Sequence, residues 1–260
     1  MLSAVLLAGA LVTACGGAPS GEDPGTARPA DSSRSSPTAG PETPEPAAGP
    51  PVASAGGQEV YVAVGASETV GVGADRPTAQ AWPRVLHDTA LRDARYVNVG
   101  VSGSTVSEAL SEQLPRALAA DPDVVTVWLA VNDITHLVPV EAYEQELRTL
   151  VHALRRDGRT EVLVANVPQV QDLPAYRACL PGAARPGDCV LPVVPSEAQV
   201  AAVVDSFNAA VDRVVTAEGA VLVDVSHSRD LTRLTSDDGF HPSTRGHRLV
   251  ARSFADALEG

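Results

Sequence analysis

The chain contains no lysine; all 19 of its basic residues are arginine. That excludes a phosphate-binding loop built on lysine, a Schiff-base lysine and a serine–lysine dyad. Positive charge is short overall, since 32 Asp and Glu bring the formal net charge to -13. The imbalance persists after Gly57, where 17 Arg face 27 Asp and Glu. A phosphate backbone needs a basic face, so nucleic acid is excluded as a partner. Cysteine is scarce, at three residues. Neither an HExxH motif nor a paired-cysteine ligand set occurs, so no metal and no cofactor are expected.

Long apolar runs are also missing. The longest candidate, "MLSAVLLAGALVTA" (residues 1–14), is too short to span a bilayer but suits the apolar region of a signal peptide. It runs into "VTAC", which resembles the bacterial lipobox, although no Arg or Lys precedes the apolar run. By that resemblance Cys15 becomes the lipidated N-terminus and anchors the protein to the outside of the cell membrane; without lipidation it would be secreted. A buried N-terminal helix is the alternative reading. The next residues, to Gly57, contain no Leu, Ile or aromatic residue. Such a segment buries too little apolar surface to offset its ordering entropy. Residues 15–57 therefore read as a flexible tether with an end-to-end distance of about 35 Å.

From residue 58 to 260 the pattern is regular. Apolar runs such as "EVYVAVG", "ARYVNVGV", "DVVTVWLAVND", "EVLVANVP" and "AVLVDV" alternate with amphipathic stretches. Strands buried on both faces read as unbroken apolar runs. Their alternation with helices implies right-handed crossovers and a parallel sheet. The expected fold is a single three-layer α/β/α domain with about five parallel strands. "TAQAWPRVLHDTALRD" and "TVSEALSEQLPRALAA" each read as one helix, and "EAYEQELRTLVHALRRDG" as a helix ending in Gly158. A long helix is expected between a Ser196 cap and Gly219. Cys179 and Cys189 flank a Gly/Pro loop, "CLPGAARPGDC". A loop-closing disulfide is expected in an exported protein, with free buried thiols as the alternative.

In such sheets the chemistry lies beyond the carboxyl ends of the strands. The first run delivers Gly65-Ala66-Ser67 there, the second "GVSGS" with Gly103, and the third Asn132-Asp133. The last leads to "DDGFHPS" with Asp238 and His241. These four blocks, in this order, resemble the SGNH/GDSL hydrolases. "GAS" stands for Gly-Asp-Ser, "NVGVSGSTV" for the glycine block, "AVND" for Gly-x-Asn-Asp and "DGFHP" for Asp-x-x-His. The resemblance covers nearly the whole domain and implies a flavodoxin-like sandwich and serine ester hydrolysis. Two positions depart from it. Ala66 replaces the family's aspartate and Ala130 replaces a glycine.

The roles follow from what acyl transfer needs. Ser67 is the expected nucleophile and His241 its base. Asp238 is the carboxylate that holds the imidazole tautomer, with neighbouring Asp237 as the competitor. The oxyanion would be met by the N–H groups of Ser67 and Gly103 and the Asn132 amide. Taken singly, Ser67 could be only a helix cap, Gly103 a turn residue and Asn132 a loop cap. Asp133 reads as structural. His136 and His227 follow strand ends and are candidates for the pocket; His87, His152 and His247 read as surface residues. A Gly-x-Ser-x-Gly elbow fails at Thr69, and "GASETVG" lacks dinucleotide spacing. The expectation is an exported, monomeric ester hydrolase acting on lipid, lysophospholipid, acetylated carbohydrate or small esters. A non-catalytic binding module and a flavodoxin-like cofactor binder are the readings from other classes.

Overall fold

A computed structural model describes residues 57–183, 189, 193–228 and 230–260. The expected signal peptide, Cys15 and all of the tether but Gly57 lie outside the described residues. Five strands form one sheet: β1 (Val60–Gly65), β2 (Arg95–Asn98), β3 (Val124–Trp128), β4 (Glu161–Ala165) and β5 (Val221–Val223). Their spatial order is β2-β1-β3-β4-β5, and every neighbouring pair is parallel. The chain leaves β1 toward one edge, to β2, and then crosses back to β3 on the other side of β1. That reversal opens a crevice above the carboxyl ends of β1 and β3.

Alternation along the strands divides the core in two. Val60, Val62 and Val64 of β1, Val125 and Val127 of β3 and Val162 and Val164 of β4 pack on one face. Tyr61, Ala63, Leu163 and Ala165 pack on the other. Successive side chains of a strand point to opposite faces, so both faces of these strands are covered. The first layer is completed by α7 (Val140–Arg155) and α9 (Glu197–Glu218). The second is formed by α3 (Trp82–Ala90) and α10 (Thr244–Glu259), joined where Trp82 stacks on Phe254 at 4.3 Å. Shorter helices make up the rest: α1 (Ser67–Val70), α2 (Pro77–Gln80), α4 (Val106–Glu108), α5 (Leu114–Ala119), α6 (Val131–Thr135) and α8 (Pro174–Arg177).

Three helices differ from the sequence expectation. The first amphipathic stretch breaks at Ala81 into α2 and α3, each starting with a proline in its first turn. The second is interrupted by a π-turn, Ala109–Gln113, between α4 and α5. Pro115 has no N–H and its ring crowds the carbonyl four residues earlier, which the wider turn accommodates. The third ends at Arg155 rather than Gly158, because Arg156 and Asp157 already have left-handed backbones (φ 50° and 58°). By contrast α9 starts and stops as expected, with a Ser196–Gln199 capping box and Gly219 at φ 63°. Cys179 and Cys189 are joined by a disulfide. Among the described residues, no helix is long and apolar enough to cross a membrane.

Candidate active site

Ser67 follows directly from β1. It is the first residue of α1, and its side chain does not cap that helix; Ala66 is the N-cap and makes no side-chain bond. Instead Ser67 Oγ lies 3.0 Å from His241 Nε2. His241 Nδ1 lies 2.6 Å from Asp238 Oδ2. A carboxylate can only accept, so Nδ1 carries the proton and Nε2 is left to accept from the serine hydroxyl. The other carboxylate oxygen, Asp238 Oδ1, accepts from Ser236 Oγ (2.8 Å), the Phe240 N–H (2.8 Å) and the His241 N–H (3.0 Å). Partial burial pushes the Asp238 carboxyl up. The His241 ring and the other three donors outweigh it and bring it down to about 2.

One short loop presents both side chains. It is closed by a bridge between Thr235 and Pro242 and by the Ser236 N–H donating to the His241 carbonyl at 2.8 Å. Gly73 lies against this loop, so close that a Cβ there would fall 2.4 Å from the Pro242 carbonyl oxygen. The backbone approach therefore requires glycine.

The other expected residues stand at neighbouring strand ends. Gly103 has φ 85° and lies in a turn closed by the Ser104 N–H on the Val101 carbonyl at 3.2 Å. Nothing lies within 4 Å of where its Cβ would be, so that side of the turn is open. Asn132 Nδ2 donates one hydrogen to the Ser104 carbonyl at 3.0 Å. That bond orients the amide and leaves its second hydrogen free for another acceptor. Asp133, fully buried, takes the Val106 N–H at 3.1 Å and so ties α6 to α4. Burial pushes its carboxyl up to about 6, against the Val106 bond.

The two departures from the motif meet in one place. Ala66 and Ala130 both line a small cleft with Trp128, Leu129 and Asn132. Ala130 has φ 126°, a backbone that favours glycine. Ala130→Gly is expected to stabilise the fold by about 1 kcal/mol. Relief of strain of about 1–3 kcal/mol outweighs the lost methyl burial and the greater freedom of an unfolded glycine. Calorimetry should show Tm rising by about 2–4 °C; a fall would mean that methyl packing dominates.

Several residues escape sequence reasoning. Gln113, fully buried in the π-turn, faces the end of β1. Its Oε1 accepts the Gly65 N–H at 2.9 Å and its Nε2 donates to the Gly65 carbonyl at 3.0 Å. The same carbonyl takes the Val101 N–H at 3.1 Å, which joins the Ser67 strand to the Gly103 loop. Glu68 Oε2 lies 3.3 Å from Ser67 Oγ and is a second acceptor for its hydroxyl. A neighbouring apolar cleft is walled by Trp128, Val131, Pro168, Val170, Leu173, Leu231, Phe240 and Pro242, with Glu68 at its margin.

The remaining histidines divide differently from expectation. His247 is fully buried, not on the surface. Its Nδ1 accepts the Trp82 N–H at 3.2 Å and its Nε2 donates to the Val72 carbonyl at 3.0 Å, so the neutral ring is satisfied on both sides. Burial pushes this imidazole down. His136 bonds the Asn132 carbonyl at 2.7 Å, and His227 is exposed beside Asp224 at 2.8 Å. Among the described residues, no group of three or more His, Cys, Asp or Glu is placed to hold a metal ion.

A parallel α/β sandwich with a serine, a histidine and a carboxylate in hydrogen-bond series at its active edge defines a hydrolase-like architecture. Residues 63–249 match the GDSL-like Lipase/Acylhydrolase family, and the chain belongs to that family. It is a carboxylic ester hydrolase of the esterase/lipase kind. The fold agrees. A GDSL-like lipase from Parabacteroides merdae superimposes with a TM-score of 0.60 at 19% identity, covering 78% of this chain and 96% of that one. An acetyl-xylooligosaccharide esterase variant from Geobacillus gives 0.56 at 18% identity, with 78% and 94% covered. The extracellular lipase of Streptomyces rimosus gives 0.53 at 19% identity, with 76% and 99% covered. Comparison with curated protein sequences finds no match.

Proposed function

We propose that the protein is an exported serine esterase working through an acyl-enzyme on Ser67. The observation that carries this reading is the uninterrupted series from Ser67 Oγ to His241 Nε2 (3.0 Å) and from Nδ1 to Asp238 (2.6 Å). Oγ attacks the ester carbonyl and forms the Oγ–C bond while its proton passes to Nε2. The oxyanion is met by the N–H groups of Ser67 and Gly103 and the free Asn132 amide hydrogen. Collapse breaks the bond to the alcohol oxygen, which leaves with the proton from Nε2. Water then repeats the sequence and releases the acid. No metal or cofactor enters any step.

The apolar cleft lined by Glu68 and Pro242, next in sequence to Ser67 and His241, supports binding of the acyl group. Lipid, lysophospholipid, acetylated carbohydrate and small esters all remain within this reading. Export is supported by the Cys179–Cys189 disulfide, since such bonds persist in oxidising compartments. The extracellular lipase among the fold relatives supports it as well. The proposed organisation is a signal peptide (1–14), a lipidated Cys15 heading a tether to residue 57, and the hydrolase domain from 58 to 260, acting as a monomer.

An alkyl fluorophosphonate tests the central step. Ser67 should become phosphonylated in step with loss of ester hydrolysis, and the adduct should map to the peptide containing "GASETV" by mass spectrometry. Inactivation without an adduct on that peptide would refute the assignment. Asp238, held at about 2, stays ionised on mild acidification, so activity lost there does not come from protonation of its carboxylate.

A further inference from the structure

Glu68 has no role in the reaction as written, yet its carboxylate touches the nucleophile. Its Oε2 lies 3.3 Å from Ser67 Oγ, the atom that bonds to the carbonyl carbon. Among the described residues, Glu68 makes no ion pair, and its one side-chain hydrogen bond is to Ser67. A carboxylate so placed opposes the negative charge that develops on the substrate oxygen. A neutral acyl group leaves that repulsion in full. An acyl group bearing a positive charge beside its carbonyl turns the same contact into an attraction.

The surroundings specify the rest of the acyl group. The leaving oxygen must face His241 Nε2, which protonates it, and Glu68 is the other acceptor around Oγ. Glu68 lies on the margin of two clefts. One runs past Asn132, and the other is walled by Trp128, Val131, Leu173, Leu231 and Phe240. A carbon carrying both a cationic nitrogen and an aliphatic branch would set the nitrogen at the carboxylate and the branch toward the apolar lining. We propose that Glu68 selects acyl groups with a cationic nitrogen next to the scissile carbonyl, so that the preferred substrates are esters of aliphatic α-amino acids. This rests on Ser67 being the nucleophile. Hydrolysis follows the steps already given and releases the amino acid and the alcohol.

The test compares leucine ethyl ester with ethyl isocaproate, which has the same skeleton without the amine, in the wild type and in Glu68→Gln. It is run near about pH 6.5, where an α-amino group of ordinary basicity is protonated. The ratio of kcat/KM for the two esters should fall at least about tenfold in Glu68→Gln. Comparing ratios cancels the greater intrinsic reactivity of the amino ester. An equal ratio in the two proteins would overturn the proposal. So would a Glu68-dependent gain seen only with isocaproylcholine, whose cation lies on the alcohol side. If Glu68→Gln does not fold, N-acetylleucine ethyl ester replaces it as the control on the wild type. It should then be a poorer substrate than leucine ethyl ester, and equal or better turnover overturns the proposal. Ser67→Ala separates the two levels. Ethyl isocaproate hydrolysis surviving in Ser67→Ala refutes the serine reading itself, whereas its loss with an unchanged Glu68→Gln ratio refutes only the selectivity.

Discussion

Replacing Ser67 with alanine is expected to lower kcat for ester hydrolysis by about 10⁴–10⁶-fold while changing KM little. The hydroxyl is the group proposed to form the covalent bond, and no other hydroxyl bonds His241 Nε2 among the described residues. His241→Ala should cost about as much. The double variant should be no slower than either single one, because two groups acting as one unit do not add. Stability separates this outcome from simple unfolding. The Ser67 side chain, though buried, caps no helix, and its two bonds go to other side chains rather than to the backbone. The melting temperature of Ser67→Ala should therefore stay within about 2 °C of the wild type. Steady-state kinetics beside a thermal melt decide the matter. Retention of more than about a tenth of the activity would sink the assignment.

How much of this could be read from the chain depends on the range over which each feature is determined. The parallel sheet was legible because β1, β3 and all of β4 after Glu161 are buried on both faces and so appear as apolar runs interrupted only by Thr126. The positions of Ser67, Asn132 and the Asp238–His241 loop followed, since chemistry collects beyond strand ends and each lies just past one or in a loop leading from one. The choice of Asp238 over Asp237 came from the family spacing, and Asp238 is the one that bonds the imidazole.

What stayed hidden is set by pairing between distant segments. Gln113 lies 48 residues from Gly65 and reads as one more polar helix residue; only the π-turn ahead of Pro115 turns its amide toward β1. His247 reads as a surface histidine on a helix, yet it bonds Trp82, 165 residues away. The helix expected to reach Gly158 stops early because Arg156 and Asp157 take left-handed backbones, which residue propensity does not disclose. Glu68 was in plain view beside the serine, but its direction is a matter of rotamer and fold rather than of spacing.

The second large effect concerns a change of one atom. Asp238→Asn should lower kcat by about 10⁴-fold with the fold intact. The site of Asp238 Oδ1 is surrounded by three donors, namely the Ser236 hydroxyl and the N–H groups of Phe240 and His241. Only an oxygen can satisfy them, so the new amide oxygen must take that place. Its NH₂ is then directed at His241 Nδ1, from which the carboxylate had accepted a hydrogen bond. A donor facing Nδ1 forces that nitrogen to accept and moves the ring proton to Nε2, which can then no longer take the proton of Ser67. Because the loop keeps all three bonds to the oxygen, the loss should appear in kcat and not in the melting temperature. Asp237→Asn is the control. Asp237 has no bond to the histidine, so its activity should stay within about twofold of the wild type. An NMR measurement of the imidazole nitrogens should find the proton on Nδ1 in the wild type and on Nε2 in Asp238→Asn. An Asp238→Asn enzyme that keeps both its tautomer and its rate would refute the orienting role.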